Sequence, residues 1–397
     1  MNDSKITFSD SISLFFIILY ISNTAAICFN EFFTRILAVL FFIIFLLKRN
    51  KFDFVFLVIA LYWLLINCIY SISHDQIFSL NKVIGYFLPC FITYTCYKNV
   101  TGNFFQKFEK WVFFLSAISL ALFAIQLATG HMFNSFIPYF GRFMADFYRD
   151  ARPDSWYIYI YTYSQYSELM IRNSGFMWEP GAYAMMCCFG LIYQRLTYGP
   201  KLNYKSIIYI IAIISTLSTA GYIALLLYFL IYLKDEKNIF KWAIILVLFA
   251  ITIPFVYELE FMSEKIDSYI SSQNEAFYNE RYDAFEYNRF TVFQINFERL
   301  LEYPLGYGVY NIKDNSGSNF IGVNGIATFA RMWGVIGLIV ACFAIFKSFT
   351  IFGNKTSHII IIIAILMMIV LFFSNPIEQS PLFYLLIIHP YLYKHHA

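Results

Sequence analysis

Long apolar segments separated by short polar ones run through almost the whole chain. A helix needs about 20 apolar residues to cross the hydrocarbon core of a membrane, and the pattern predicts twelve such helices. Their expected positions are residues 11–29, 32–48, 54–72, 83–98, 111–129, 177–196, 206–219, 220–233, 240–257, 326–346, 358–373 and 381–393. The sequence therefore predicts an all-α polytopic membrane protein that forms a single membrane domain over residues 1–397.

Segments 206–219 and 220–233 form one apolar run that is too long for one straight span and short for two. The run is interrupted by small polar residues in Ser215-Thr216-Leu217-Ser218-Thr219-Ala220-Gly221. We predict two helices with a turn at Ala220-Gly221, and the alternative is one tilted helix. Irregular backbone at membrane depth is tolerated where it lines a polar cavity, so the two-helix prediction also places a cavity beside the turn.

Composition agrees with a membrane location, because 60% of the residues are apolar and only 13% are charged. A soluble protein of this size could not bury so much apolar surface. Basic residues cluster in the connections on one side of the twelve-span order: Lys48, Arg49, Lys51, Lys98, Lys107, Lys110, Arg195, Lys201, Lys205, Lys234, Lys237, Lys241, Lys347 and Lys355. The positive-inside rule makes that side cytoplasmic. Both termini are then cytoplasmic, and the long polar segments 130–176 and 258–325 are periplasmic loops.

The two outer segments differ in character. The first carries the aromatic run Trp156-Tyr157-Ile158-Tyr159-Ile160-Tyr161-Thr162-Tyr163, which is typical of a membrane interface and also suits stacking on sugar rings. The second predicts an amphipathic helix over 258–285 and a second helix over 288–301, which ends before Pro304. The seven cysteines all fall in apolar segments, so we expect no structural disulfide and no metal site.

Opposite charges come together in Arg172-Asn173-Ser174-Gly175-Phe176-Met177-Trp178-Glu179-Pro180-Gly181, which joins the first outer segment to a membrane helix. Because proline is favoured at the first position of a helix, we expect Glu179 at the helix N-terminus. Most arginines lie on the outer side, and the planar guanidinium can bind phosphate through two hydrogen bonds. We interpret the stretch as a functional site. The alternative is that Glu179 caps the helix and Arg172 contacts lipid headgroups.

Three motifs carry a resemblance to a known family: the Arg172–Gly181 stretch, Leu217-Ser218-Thr219-Ala220-Gly221, and the segment from Arg289 to Pro304-Leu305-Gly306-Tyr307-Gly308. With the predicted topology they resemble the Wzy-type O-antigen and capsule polymerases of the O-antigen ligase and polymerase superfamily. The resemblance implies a glycosyltransferase-C-like fold and a multi-pass enzyme of the bacterial inner membrane. It also implies that the enzyme joins undecaprenyl diphosphate-linked oligosaccharides in lipopolysaccharide or related polysaccharide biosynthesis, with no cofactor, no metal and no nucleic acid. Membrane lipids and a chain-length regulator protein are the implied partners.

In that reaction a sugar hydroxyl attacks an anomeric carbon and the lipid diphosphate leaves. We expect Arg172 and Arg289 to stabilise the diphosphate charge. Glu179 is expected to accept the hydroxyl proton or, because a helix N-terminus favours the ionised carboxylate, to orient an arginine. Further substrate contacts are predicted for Arg299, Arg331, Ser218, Thr219, Gly221, Tyr159, Tyr163 and Trp178.

Two other functions stay open. An O-antigen ligase, which transfers glycan to lipid A-core, has a similar layout but carries a histidine in its second large outer loop, and no histidine lies between residues 132 and 357 here. A flippase or other transporter of the lipid-linked oligosaccharide would need cations along a path through the bundle or broken helices in matching repeats. The outer arginines and the single predicted break favour a polymerase.

Overall fold

The computed structural model describes residues 7–22, 31–129, 155–158, 161–164, 171–234, 277–279, 284–310, 320–322, 324–353, 356–377 and 380–393. This part of the chain is mostly helical. Its helices are α1 Phe8–Ser22, α2 Glu31–Leu47, α3 Phe54–Ser73, α4 Leu80–Asn99, α5 Phe104–Thr129, α6 Pro180–Tyr198, α7 Tyr204–Ser215, α8 Thr219–Lys234, α9 Arg289–Glu302, α10 Gly325–Phe352, α11 His358–Ser374 and α12 Pro381–Leu392. Its strands are β1 Ser155–Ile158, β2 Tyr161–Ser164, β3 Phe277–Asn279, β4 Ala284–Glu286 and β5 Phe320–Ile321.

The helices confirm the predicted pattern of apolar segments over most of the chain. Each predicted segment coincides with a described helix except 240–257, which lies outside the described residues. Three described helices are long and apolar enough to cross a membrane by themselves: α3, α5 and α10. Six others are apolar but shorter. The fold is therefore that of a helical membrane protein, and α9 lies where the sequence predicts a helix in the second outer segment.

Helix α6 occupies the centre of the bundle and packs against α5, α7, α8, α10 and α11. Most of its side chains, from Ala182 to Leu196, are buried. Two glycines allow this dense packing. A Cβ atom on Gly190 would collide with the ring of Tyr209 in α7, and a Cβ atom on Gly221 of α8 would lie 2.9 Å from the Cβ atom of Ala184. Close packing of this kind at glycine is common between membrane helices.

Lysines gather at one end of the bundle, where they pair with buried carboxylates. Lys107 Nζ lies 2.6 Å from Asp10 Oδ2, and Lys205 Nζ lies 2.7 Å from Glu109 Oε2. Lys205 is in the first turn of α7, whereas the last residue of α7, Ser215, contacts the segment that follows Arg172. The lysine end and the Arg172 end are therefore opposite ends of the bundle.

The turn between α7 and α8 lies at Thr216–Ser218, so its predicted position at Ala220-Gly221 is wrong. Thr216 Oγ1 accepts a hydrogen bond from Ser218 N at 3.2 Å, and Leu217 adopts the left-handed conformation with φ 48°. A Cβ atom on Gly221 would lie 3.4 Å from Ile213 Cγ2. Residues eight apart could not approach so closely along one helix, so the chain reverses here and the prediction of two helices is confirmed.

The outer segments contain short strands that the all-α prediction did not include. Strands β1 and β2, both from the aromatic run, pair in antiparallel orientation. Strand β4 pairs with β3 in antiparallel and with β5 in parallel orientation. The predicted amphipathic helix over 258–285 is thus wrong at its C-terminal end, and its remainder lies outside the described residues. The paired residues Tyr278 and Phe285 are aromatic, a residue type that fits strands better than helices.

Candidate functional site

The Arg172–Gly181 stretch is fixed against the end of α7. Asn173 is fully buried, its backbone N–H donates to the Ser215 carbonyl at 3.0 Å, and its Nδ2 donates to Ser215 Oγ at 2.9 Å. Gly175 has φ 54°, and a Cβ atom there would collide with the ring of Tyr183. Only glycine satisfies both conditions. The stretch is therefore a rigid connection whose course is determined by Asn173 and Gly175.

Arg172 binds the turn between α7 and α8 through its side chain. Its Nε donates to the Thr216 carbonyl and its Nη2 to the Leu217 carbonyl, both at 3.1 Å. A cation is favoured at the C-terminal end of a helix, where carbonyl groups lack intrahelical partners. Burial lowers the pKa of Arg172 from its ordinary value, and the nearby Glu179 carboxylate opposes this change. The guanidinium is thus held in place by the protein before any ligand binds.

Glu179 is the residue before the first turn of α6, with Pro180 in the first helical position, as the sequence predicts. Its backbone is extended, with φ −151° and ψ 158°, and its side chain accepts no hydrogen bond from the helix. Glu179 therefore occupies the cap position of α6 without a capping hydrogen bond from its side chain. Burial lowers the pKa of Arg172, and the Glu179 carboxylate lies close enough to oppose that change.

Arg289 is the first residue of α9 and is held by the caps of two helices. Asn288 Oδ1 accepts hydrogen bonds from Phe290 N at 3.0 Å and Thr291 N at 2.9 Å. Asn324, which caps α10 by accepting from Ala327 N at 3.0 Å, also donates its Nδ2 to the Arg289 carbonyl at 3.2 Å. The backbone of Arg289 is therefore fixed to the start of α10.

A cleft of about 440 Å³ brings Arg172, Glu179 and Arg289 together. Its polar side is completed by the α7–α8 turn, and its apolar side is formed mainly by the end of α11. The remaining lining residues are Pro180, Gly181, Ser218, Thr219, Ala220, Ile223, Phe290, Ile369, Val370, Phe373 and Ser374. The three predicted catalytic residues and the predicted substrate contacts Ser218 and Thr219 thus share one cavity.

Two other predicted contacts do not line this cleft. Gly221 lies in the first turn of α8 and packs against Ala184 of α6. Trp178 is partly buried and packs against the apolar core. Of the tyrosines, Tyr159 lies outside the described residues, and Tyr163 is in β2, where the structure describes the backbone alone.

Arg299 and Arg331 belong to a second cluster and do not line the cleft. Arg299 is ten residues after Arg289 on α9, which is about 15 Å along a helix, and its Nη1 lies 2.7 Å from Glu302 Oε2. Arg331 Nη1 donates to the Tyr310 carbonyl at 3.1 Å. Around them Tyr70, His74, Tyr303, Tyr307 and Tyr310 form an aromatic group with ring centroids 4.2 to 5.7 Å apart. Burial raises the pKa of Tyr307.

The chain matches no protein family, no curated protein and no solved structure. Chemical interpretation therefore depends on the cleft itself. Two guanidinium groups suit an anionic ligand such as a phosphate, and the adjoining apolar wall suits a hydrocarbon chain. Among the described residues, no group of three or more His, Cys, Asp or Glu side chains is placed to hold a metal ion.

Sequence reasoning missed the contribution of α11 to the cleft. Ile369, Val370, Phe373 and Ser374 line it, and the next residue, Asn375, is only 1% exposed. The signal was present, because Ser374-Asn375-Pro376 places two polar residues and a proline directly after an apolar span. Nothing in the sequence, however, indicates that this end of α11 meets Glu179.

Proposed function

We propose that the protein is a membrane glycosyltransferase that polymerises oligosaccharide repeat units carried on a lipid diphosphate, as in the synthesis of O-antigen or a related surface polysaccharide. The observation that carries the proposal is the cleft in which Arg172, Arg289 and Glu179 meet an apolar wall. A lipid-linked oligosaccharide combines the corresponding groups: an anionic diphosphate, hydroxyl-rich sugars and a hydrocarbon chain. The undecaprenyl diphosphate carrier of bacteria fits this description.

In the proposed reaction the hydroxyl oxygen of the acceptor sugar forms a bond to the anomeric carbon of the donor sugar. The bond between that carbon and the diphosphate oxygen breaks, and the diphosphate leaves with its electron pair. Arg172 and Arg289 stabilise the charge that develops on the diphosphate. Glu179 either accepts the hydroxyl proton or fixes the orientation of Arg172. The second role is supported by its proximity to Arg172, whose pKa it raises against the larger effect of burial.

The proposed location is the bacterial inner membrane, with about twelve spans, both termini in the cytoplasm and the cleft on the periplasmic side. This orientation is supported by the separation of lysines from the arginine cleft within the described residues. The pairs Lys107–Asp10 and Lys205–Glu109 lie at the end opposite to the arginine cleft. Lysine near the cytoplasmic surface is the arrangement that the positive-inside rule favours.

The test is the surface glycan of a strain that lacks this protein. A polymerase defect leaves single repeat units attached to lipid A-core or another acceptor, and the complementing gene restores a ladder of lengths. Full-length polymer that stays on its lipid carrier would instead indicate a ligase. Repeat units trapped on the cytoplasmic face would indicate a flippase. An unchanged ladder in the deletion strain would refute the proposal.

A further inference from the structure

The floor of the cleft is formed by Gly181, in the first turn of α6. A Cβ atom on this residue would lie 3.7 Å from Glu179 Oε1, 3.9 Å from Ser218 Oγ and 3.9 Å from Asn375 Oδ1. Three polar atoms from three separate segments therefore surround one small space. These distances are ordinary van der Waals contacts, so a methyl group would fit there and would fill the space.

Asn375 brings an acceptor to this floor without a partner for it. The residue is 1% exposed, and its Nδ2 donates to the Leu371 carbonyl at 2.8 Å. That bond fixes the amide orientation, because rotating the amide would place oxygen against oxygen. Asn375 Oδ1 then lacks a hydrogen-bond donor from any described residue.

The backbone around Asn375 is also held tightly. A Cβ atom on Gly325, the first residue of α10, would collide with the Asn375 carbonyl. The backbone at Asn375 therefore packs directly against the start of α10, whose cap also holds Arg289. A buried acceptor without a donor lowers stability. This acceptor lies beside Gly181, which lines the cleft, so a ligand in the cleft can supply the donor.

We propose that the floor at Gly181 is a subsite for a sugar, in which Asn375 Oδ1 and the Glu179 carboxylate accept hydrogen bonds from sugar hydroxyl groups. This inference rests on the proposed function, and it adds the part of the substrate that the floor binds. The diphosphate offers only acceptors and is bound by Arg172 and Arg289. Sugar hydroxyls can supply the donor that Asn375 Oδ1 lacks among the described residues. The two arginines in the same cleft also repel a metal cation, which such oxygen atoms could otherwise attract.

Two variants test the subsite independently. Asn375→Leu removes the acceptor and keeps a side chain of similar size. Gly181→Ala adds a methyl group that fits the structure and occupies the space. Gly85→Ala is the control for the second variant, because Gly85 is in the interior of α4 and a Cβ atom there meets nothing within 4 Å.

Asn67→Leu is the control for the first variant. Asn67 is also fully buried, and its Nδ2 donates to the carbonyl four residues earlier, Trp63, at 2.8 Å. Its Oδ1, however, accepts a hydrogen bond from Val309 N at 2.9 Å. Removing this acceptor leaves a buried N–H group unpaired, so Asn67→Leu should lower Tm. Asn375→Leu loses only the Nδ2 hydrogen bond to the Leu371 carbonyl and leaves no buried N–H group unpaired, so it should lower Tm less than Asn67→Leu does. A Tm lowered as much as in Asn67→Leu would mean that Asn375 is purely structural.

Binding to the purified full-length protein is measured with two probes. Farnesyl diphosphate carries the anionic head and an apolar chain but no sugar. The second probe is the lipid-linked oligosaccharide extracted from a strain that lacks this protein. Asn375→Leu and Gly181→Ala should bind farnesyl diphosphate like the wild type and bind the sugar-carrying lipid about three- to tenfold more weakly, the loss expected for one hydrogen bond.

The outcomes separate the two proposals. Equal binding of the sugar-carrying lipid by the wild type and both variants would overturn the subsite and leave the proposed function intact. Loss of that binding on addition of a chelator would show that the floor holds a metal ion, which also overturns the subsite. Failure of the wild type to bind either probe would overturn the proposed function and this inference together.

Discussion

Substitutions of Glu179 distinguish a catalytic role of its carboxylate from a purely structural role. The side chain makes no cap hydrogen bond to α6, so its removal should cost the helix only the favourable charge at its N-terminus, about 0.3–1 kcal/mol. Serine is a favoured cap residue, worth about 1 kcal/mol relative to a residue that does not cap. Glu179→Ser should therefore be as stable as the wild type or about 1 kcal/mol more stable. Glu179→Gln, which keeps the size of the side chain and removes its charge, should also fold normally.

The same two variants, although stable, should lose glycan chain extension. General-base catalysis contributes on the order of 10²- to 10⁴-fold, so both variants should lose chain extension by about that factor. Neutralising a carboxylate beside Arg172 removes repulsion for the diphosphate. Glu179→Gln should therefore bind farnesyl diphosphate at least as tightly as the wild type although it no longer extends chains.

The assay combines glycan length in a complemented deletion strain with the amount of protein in the membrane and its Tm. Glu179→Asp keeps the charge and shortens the side chain, so it should retain part of the activity if the carboxylate mainly orients Arg172 and little if it must reach the hydroxyl. A Glu179→Gln variant that makes the full ladder at normal abundance would remove Glu179 from the site.

Three further predictions follow from the same geometry. Arg172→Lys and Arg289→Lys should each shorten the glycan severely at normal protein abundance, because lysine cannot reproduce the planar contacts of guanidinium; two fully active lysine variants would contradict the diphosphate role. Gly175→Ala should reduce the amount of folded protein, because its methyl group meets the Tyr183 ring, and normal abundance and Tm would contradict this. A cysteine at position 237, in an otherwise cysteine-free protein, should resist impermeant reagents added from outside, and labelling there would refute the predicted topology.

The positions of the helices could be predicted from the sequence because each membrane helix is marked by a local run of apolar residues. The boundaries of α7 and α8 were less accessible. Ser215 to Gly221 shows that the run is interrupted, but the turn is located by hydrogen bonds of Thr216 and by the left-handed backbone of Leu217. The sequence predicts Gly221 as a turn residue, whereas in the structure it allows the close contact between α8 and Ala184. The sequence does not indicate whether a glycine forms a turn or allows two helices to pack closely.

Site residues could be placed correctly where a short segment of sequence determines its own local structure. Glu179 before Pro180 could be placed at a helix N-terminus because that position depends on local backbone preference. The separation of Arg299 from Arg289 could also have been inferred, since ten residues of helix put them about 15 Å apart. The position of Asn375 beside Gly181 could not have been inferred, because it depends on which helices pack together over a long sequence separation.

The cleft is assembled mainly by backbone hydrogen bonds, and this bears on how its cations act. Arg172 is bound to the carbonyls of Thr216 and Leu217, and the Arg289 carbonyl is bound by Asn324. The far end of α9 is also fixed to α10. There Gly334 breaks the helix with φ 70°, and Val335 N donates to the Pro304 carbonyl at 2.9 Å.

Moving Arg289 away from Arg172 would thus require breaking contacts at both ends of α9. Groups that are already in position do not have to be ordered when the substrate binds, and fixed charges of this kind contribute most to stabilising a transition state. The Arg172 guanidinium, bound to two carbonyl groups, is held in this way, and the backbone of Arg289 is fixed in the same cleft. This arrangement is suited to a leaving diphosphate. A flexible pair would also attract the anion but would lose part of that attraction to its own ordering.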